Sequence, residues 1–326
     1  MMYKWKIGRD NLAATIYVPY DCKNNCPFCT SKKEYSKLKL DEEAVMDALK
    51  KLVKNPNIKE IVFTGGEPTA NMSLLTEMIE FVKKNSTKQV YVNTTLPSED
   101  FFSAIGVFNK YVDGVNISRH GTSFVEDCKL FRNIVDDWAL KGILVPIKIN
   151  AVLTDKTTLS DVSEIIDRWS DFDHVGVCFR RDFRKTTKET LHAMEGDPIL
   201  DFLTANLEFE GHAFCDVCDT VHFSGNVAFH RGLEHSSFKI GNTVVVNDII
   251  VFPDGFVSYD WDRKPIEELD GFMMTTSART PAPKKPAYKI PTLAAKTPTP
   301  ASVKAPTKAP TPEPTYRCGF AFGRCG

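Results

Sequence analysis

Three cysteines stand close together in the stretch Asp21-Cys22-Lys23-Asn24-Asn25-Cys26-Pro27-Phe28-Cys29-Thr30. Three and then two intervening residues bring the thiols within reach of one iron–sulfur cluster. A cluster that only carries electrons usually has four thiolate ligands. A cluster held by three leaves one iron open to a small molecule, as a catalytic zinc keeps one open position. The stretch therefore predicts a cluster that binds a small molecule.

The same spacing would also place the three cysteines on one face of a helix. Pro27 and the Asn24-Asn25 pair favour a loop instead, because these residues are typical of turns. A strand-like run, Thr15-Ile16-Tyr17-Val18, precedes them. We therefore interpret the stretch as a loop that follows a strand.

A glycine-rich turn supplies the second motif. Ile58–Thr64 reads as a short buried strand and continues into Gly65-Gly66-Glu67-Pro68. Two glycines let the backbone take positive φ and approach a ligand closely. The carboxylate of Glu67 at the strand end suits an ammonium group. Such a turn alone also fits an ordinary connection between a strand and a helix. Pro68 would then only lead into the predicted helix Leu74–Lys84.

Together the two motifs resemble the radical S-adenosylmethionine (radical SAM) superfamily, in particular the branch that makes molybdenum cofactor or matures peptides. The resemblance spans residues 12 to about 208 and includes Phe28, an aromatic residue before the third cysteine. It implies a 4Fe–4S cluster on Cys22, Cys26 and Cys29 whose open iron chelates SAM, with Gly65, Gly66, Glu67 and Pro68 at the SAM amino group. It further implies that one electron, from a reductant such as flavodoxin or ferredoxin, cleaves SAM to methionine and a 5′-deoxyadenosyl radical that abstracts hydrogen from an unidentified substrate.

Alternating strand and helix patterns predict an α/β fold, a six-unit (βα)6 partial TIM barrel with its site at the carboxyl ends of the strands. The further predicted strands are Gln89–Thr95, Gly114–Ser118, Val145–Val152 and His174–Phe179. The further predicted helices are Asp41–Val53, Ser98–Phe108, Ser123–Leu140, Thr158–Ser170 and one near 190–207.

Polar residues near these strand ends are candidates for contact with SAM or substrate. They are Thr95, Ser118, Asn150 and Arg180, with Thr94, Arg119 and Arg181 beside them. Arg119 is suited to pairing with a carboxylate. Each residue also fits an ordinary cap or loop hydrogen bond. The sequence assigns no catalytic acid, base or nucleophile.

Composition bounds the rest. The chain has 326 residues, without an apolar run near the ~20 residues of a membrane span and without a signal-peptide pattern in Met1–Asp10. We therefore expect a cytoplasmic protein with no membrane partner. Its nine cysteines favour metal ligands and thiols over disulfides, with Cys128 and Cys178 in the core.

The predicted core, 1–208, is followed by a small β-rich extension, 209–274. Its Cys215-Asp216-Val217-Cys218 segment resembles the opening pair of the auxiliary cluster site of some radical SAM enzymes. A predicted hairpin turns at Pro253-Asp254-Gly255, but Asp260 and Trp261 stand where a further cysteine is expected. An auxiliary cluster, a zinc ion and a reduced pair without metal all remain open as second-site interpretations.

The chain from residue 275 onward has nine Lys or Arg, one acidic residue and ten of the nineteen prolines. Residues 275–315 are predicted to be a disordered basic linker. Such a linker can contact nucleic acid, although scattered lysines more often only solvate a chain. The terminal segment 316–326 repeats Arg-Cys-Gly, and Cys318 and Cys325 fit completion of the Cys215–Cys218 site, a redox arm, docking to a partner, or no role.

Three alternative functions remain beside a radical SAM enzyme acting on a small molecule. A maturase acting on a peptide or protein keeps the same fold. A nucleic-acid modification enzyme rests on the basic linker. A non-catalytic iron–sulfur protein that binds SAM or transfers electrons is disfavoured by Glu67, because electron carriage needs no ammonium site.

Overall fold

The computed structural model of the chain describes residues 2–8, 11–18, 22, 24, 26–29, 37–97, 101–120, 137–170 and 172–272. The strands are β1 (Lys4–Ile7), β2 (Leu12–Val18), β3 (Ile58–Gly65), β4 (Gln89–Thr94), β5 (Gly114–Ser118), β6 (Ile147–Leu153), β7 (Val175–Arg181), β8 (Phe209–Cys215), β9 (Cys218–Phe223), β10 (Val227–Gly232), β11 (Ser237–Ile240), β12 (Thr243–Val246), β13 (Asp248–Val251) and β14 (Val257–Ser258). The α-helices are α1 (Glu42–Lys54), α2 (Met72–Asn85), α3 (Phe101–Tyr111), α4 (Leu159–Trp169) and α5 (Pro198–Asn206).

Strands β2 to β7 lie side by side in chain order, and each pairs in parallel with the next. Helices separate most of them along the chain. The predicted α/β class and six-unit partial barrel are therefore confirmed. The predicted helix Ser123–Leu140 lies mostly outside the described residues.

The last helix of the barrel is shorter than the sequence pattern indicated. It begins at Pro198, because Asp197 caps it by accepting a hydrogen bond from the Ile199 amide at 3.0 Å. Proline suits a first helical position, where no amide donor is needed. Residues 190–197 are consequently not helical, and they form turns that lead from β7 to α5.

Strands from the C-terminal extension lengthen the sheet at both edges. β10 pairs in parallel with β7, and β13 pairs in parallel with β2. β9 and β8 continue the first edge antiparallel, and β14 pairs with β13 as the predicted hairpin. Within the described residues the sheet thus has eleven strands, eight of them parallel. The boundary at 208/209 remains a prediction, although strand pairing crosses it.

The outer face of the sheet is covered by helices and is apolar. Helix α1 is capped by Asp41, which accepts from the Ala44 amide at 3.0 Å, and it buries Val45, Leu49 and Leu52. Alternate residues of the strands pack beneath the helices in one continuous core. The intervening residues face the inside of the curved sheet, called here the concave face. Cys178 is 1% exposed, as predicted for a core cysteine, whereas Cys128 lies outside the described residues.

A second sheet of three strands, β1-β12-β11, joins the start of the chain to the extension. The Tyr3 amide donates to the Glu268 carbonyl, and the Asn55 side chain donates to the Phe272 carbonyl at 2.8 Å. The ring of Phe272 packs on Trp5, with centroids 4.7 Å apart. The end of the extension is thereby anchored beside the start of β3. No described helix combines the length and apolarity needed to cross a bilayer.

We predict that a chain ending at residue 274 folds with an unchanged midpoint of urea unfolding, because every described strand lies before residue 259. A control chain ending at residue 246 loses β13, the edge partner of β2, and we expect it to unfold at much lower urea. Far-UV circular dichroism measures both midpoints. A large loss in the longer chain would show that the tail belongs to the folded core.

Candidate functional site

Four features that the sequence singled out gather on one rim of the main sheet. The cysteine loop follows β2, the glycine turn ends β3, Thr94 and Thr95 end β4, and Ser118 ends β5. The carboxyl ends of parallel strands meet at the same edge of a sheet, where barrel enzymes place their active sites. Segments far apart in the sequence therefore become neighbours.

The three cysteines of the loop are half-buried thiols. The Cys29 amide donates to the Cys26 carbonyl at 3.1 Å, which closes a turn over Pro27 and Phe28. This turn explains the two-residue spacing and agrees with a loop. Partial exposure leaves the sulfur atoms accessible to a metal cluster.

Polar contacts tie the cysteine loop to two other strand ends. Arg184 donates to the Pro27 carbonyl at 3.2 Å, and its guanidinium is held by the carboxylate of Asp182, with Nε to Oδ1 at 2.9 Å. The Asn24 amide donates to the Thr95 hydroxyl at 3.5 Å, a long contact. The loop is therefore braced from the β7 side and from the β4 side.

A buried histidine supports the loop from beneath. The ring of His120 meets Phe28 edge-on, with centroids 5.3 Å apart, and its Nδ1 accepts from the Val152 amide at 3.0 Å. Burial first, and the charge of Arg119 second, lower the pKa of His120 to about 3. The ring is consequently neutral at physiological pH, with its proton on Nε2. Sequence reasoning missed this role, since nothing in the local pattern indicates a packing partner.

Glu67 is the centre of the rim. It is 4% exposed, and its Oε1 accepts from the Thr69 amide at 3.2 Å, the Thr69 hydroxyl at 2.9 Å and the Thr94 hydroxyl. Its Oε2 accepts from the Thr95 amide at 2.7 Å and the Thr95 hydroxyl at 2.6 Å. A carboxylate has about four lone-pair sites, so these five donors saturate it. Direct contact between Glu67 and a ligand ammonium remains a prediction, and the structure gives the side chain a bracing role.

The glycine turn around Glu67 depends on backbone freedom. Gly65 has a φ of 148°, in the range that favours glycine, and is buried at the end of β3. Gly66 is half-buried. Pro68 opens a short 3-10 helix, Pro68–Asn71, which Glu67 caps. The turn thus presents main-chain groups at the rim.

Arg119, which the sequence suggested for pairing with a carboxylate, donates to two carbonyl oxygens. Its Nη1 lies 2.6 Å from the Thr95 oxygen and 2.8 Å from the Ser118 oxygen. The guanidinium therefore bridges the ends of β4 and β5. Because Thr95 also contacts Glu67, this bridge extends the same network.

The other predicted contact residues lie on the concave face. Ser118 is level with Asn150, and Asn150 is level with Cys178 in the next strand. Arg180 lies one step nearer the rim. Asn150 is 1% exposed, and in the described part of the chain neither of its amide atoms has a hydrogen-bond partner. This arrangement offers Asn150 to a ligand.

Cys215 and Cys218 form the closing pair of the β8–β9 hairpin, and their sulfur atoms are 2.7 Å apart. Cys218 is level with Gly232, at the carboxyl end of β10. The pair therefore lies at the same rim as the first three cysteines, beyond β7. Whether it binds a second cluster or zinc stays a prediction.

Asp260, which stands where a further cysteine was expected, uses its carboxylate in hydrogen bonds to the main chain. It is fully buried and accepts from the Ser237 amide at 2.9 Å and the Trp261 amide at 2.7 Å. Asp260, Asp262 and His235 form a group of metal-type ligands among the described residues. Lys264 lies 3.0 Å from Asp262 and 3.7 Å from Asp260, so one cation already offsets part of the charge of the two carboxylates.

Comparison with known proteins identifies the domain. Residues 16–168 match the model of the Radical SAM superfamily. The chain therefore contains a radical SAM domain, and the resemblance first suggested by the cysteine loop and the glycine turn is confirmed. This family uses a 4Fe–4S cluster and SAM. The particular branch remains a prediction. No curated protein matches the chain.

Solved structures to which the chain shows some similarity include anSMEcpe with bound AdoMet and Cp18Cys peptide, at 19% identity and a TM-score of 0.41, over 53% of this chain and 51% of that one. SuiB of Streptococcus suis bound to S-adenosylmethionine matches at 16% identity and a TM-score of 0.38, over 52% of this chain and 39% of that one. Methylornithine synthase (PylB) matches at 15% identity and a TM-score of 0.36, over 53% of this chain and 54% of that one. The chain thus spans about half the length of the structures it matches, or less.

We predict that Glu67→Gln lowers the free energy of unfolding of the ligand-free protein by about 1–3 kcal/mol, because an amide nitrogen cannot accept from the threonine donors. A carboxylate reserved for a ligand would show no such loss. Glu164→Gln is the matched control, since Glu164 forms an exposed pair with Arg168. Urea unfolding measures both. Equal stability of wild type and Glu67→Gln would refute the bracing role.

We predict a second effect from His120, whose pKa is lowered from its ordinary value of 6.5 to about 3 in the folded protein. Between these values the unfolded chain binds a proton that the folded chain does not, so stability falls as pH falls. From pH 7 to pH 5 the loss from this group is about 2 kcal/mol. His120→Asn should lack it, whereas the exposed control His235→Asn should keep it. Urea unfolding of the ligand-free protein at pH 7 and pH 5 measures this loss. If His120→Asn lost as much stability as wild type between these pH values, the loss could not be attributed to His120.

Proposed function

We propose that the chain is a radical SAM enzyme in which Cys22, Cys26 and Cys29 hold a 4Fe–4S cluster. The match of residues 16–168 to the family supports this proposal, as do the three half-buried thiols at one rim. When bound and reduced, the cluster supplies the electron that cleaves SAM, and the resulting 5′-deoxyadenosyl radical abstracts hydrogen from the substrate. The chain's own residues bind and orient the reactants.

The observation that carries the proposal is the link between the two motifs. The Thr95 hydroxyl donates to Glu67 of the glycine turn at 2.6 Å and accepts from Asn24 of the cysteine loop at 3.5 Å. The chain thereby fixes the place of the thiols relative to the turn. A protein that only carried electrons would need no such coupling, because nothing would bind beside the open iron.

We assign SAM binding to groups around this link. The main chain of the half-buried Gly66, next to the buried Gly65, suits the SAM amino group, and the saturated carboxylate of Glu67 holds that turn in place. Ser118 and Asn150, level with each other on neighbouring strands, suit polar groups of SAM. Phe28, packed against His120, keeps the loop from collapsing. Pro68 and Thr95 fix the ends of the turn and of β4.

We propose that the substrate is a small molecule or a peptide. A reductant such as flavodoxin or ferredoxin would deliver the electron. We place the protein in the cytoplasm, where thiols stay reduced. The basic linker 275–315 and the segment 316–326 lie outside the described residues. We propose nucleic acid as a further partner of the linker, and we propose that the segment 316–326 is not needed for SAM cleavage.

We predict that anaerobically reconstituted wild-type protein forms 5′-deoxyadenosine from SAM with dithionite, measured by chromatography. Replacing Cys22, Cys26 and Cys29 together by Ala should abolish both the cluster absorbance and this product, because too few thiolates remain. Cys318→Ser removes a thiol from the terminal segment and should leave both unchanged. Full absorbance and product in the triple variant would show that the cluster is held elsewhere.

A further inference from the structure

We propose that the substrate carries an anionic group, a carboxylate or a phosphate, which binds Arg180 and Lys148 on the concave face. This inference rests on the proposed function and adds a substrate class to it. It follows from the direction of the side chains, the distribution of charge and the burial of Arg180.

The register of β6 and β7 places both cations on the same face. On β6, Ile149 packs into the core beneath the helices, so Lys148 faces the concave side. On β7, Phe179 packs into the same core, so Arg180 faces the concave side. Arg180 is level with His230 of β10, which shares its face. The two cations therefore flank one region, with Asn150 between their levels.

Basic residues outnumber acidic residues in this part of the sheet. The six consecutive strands β4, β5, β6, β7, β10 and β9 contain one acidic residue, Asp219. Asp219 lies on the outer face, where its carboxylate pairs with Arg231 at 2.5 Å. Acidic residues of the concave face, Glu60 and Asp248, lie across the sheet on β3 and β13. These six strands therefore contribute more positive than negative charge, and Glu210, at the start of the adjacent β8, adds an acidic group at their edge.

Arg180 is largely buried and has no counter-ion among the described residues. It is 7% exposed, and its guanidinium nitrogens are not among the fully buried polar atoms that lack a partner. The guanidinium donors therefore remain accessible on the concave face, where a carboxylate or phosphate can bind the planar fork with two parallel hydrogen bonds. Asn150, one step further from the rim, offers a further amide donor to the same anion.

The field of Lys148 extends across the concave face. Burial first, and the charge of Lys148 second, lower the pKa of His222 on β9. His222 is level with Cys178 and Asn150 through β10. Glu210, at the irregular start of β8, acts on His222 in the opposite direction. Lys148 on β6 and His222 on β9, three strands apart, therefore share one electrostatic environment.

The test uses full-length, anaerobically reconstituted protein and isothermal titration calorimetry with inorganic phosphate and with succinate as probes, in the presence of saturating SAM. We expect saturable binding of at least one probe to wild type. Arg180→Gln should weaken it about tenfold or more, and Lys148→Gln about threefold. Arg168→Gln, an exposed arginine paired with Glu164 on α4, is the matched control and should bind as wild type does.

The methionine carboxylate of SAM is a second source of the same chemistry, so each variant is also titrated with SAM. If a variant loses more affinity for the probes than for SAM, the result supports a site for a substrate anion. An equal or larger loss for SAM in Arg180→Gln overturns the proposal, because Arg180 would then hold SAM. Absence of probe binding to wild type, or unchanged binding to both variants, overturns it as well.

Further measurements distinguish loss of the anion site from misfolding and from failure of the proposed radical chemistry. Arg180→Lys keeps the charge and should retain more probe binding than Arg180→Gln, whereas equal loss in both variants would count against an ion pair. Thermal unfolding verifies that each variant is folded. Wild-type protein that binds the probes but forms no 5′-deoxyadenosine would refute the radical chemistry and support the anion site.

Discussion

The rim of this protein depends on burying the carboxylate of Glu67. A carboxylate removed from water is tolerated only when hydrogen bonds replace its hydration. Here Thr69, Thr94 and Thr95 replace it from two strand ends. Because Thr95 also contacts Asn24 and Arg119, the turn, β4, β5 and the cysteine loop form one connected set. Glu67 therefore acts on the position of the thiols indirectly, through Thr95 and Asn24.

The two faces of the main sheet follow different rules. Parallel strands covered by helices usually read as continuous apolar runs. The outer face obeys this rule, but the concave face buries Asn93, Asn116 and Asn150. Asn116 donates to Asn93 at 2.6 Å, which satisfies part of that pair. Buried amides with remaining capacity suit a face that receives a polar ligand, at some cost to the stability of the empty protein.

Local patterns predicted the cysteine loop, the glycine turn and the six strands, because each depends on residues that are near one another in sequence. They did not predict the partners of Glu67, since Thr94 is 27 residues away and an exposed carboxylate looks the same as a buried one. The parallel pairing of β13 with β2 was equally hidden, because Asp248–Val251 reads as any apolar strand. His120 carries no local sign of its contact with Phe28, which arises when β5 and the loop meet at the rim.

The pairing of β13 with β2 has a consequence for how the protein is made. Synthesis proceeds from the amino terminus. Strand β2 and the cysteine loop that follows it in the sequence therefore leave the ribosome long before residues 248–251. Until then, one edge of β2 has no native neighbour, and contacts this distant in sequence form slowly. The framework beneath the cysteines is therefore finished late in translation. Any cluster that these thiols hold would therefore have a complete framework beneath it only after residues 248–251 have paired with β2.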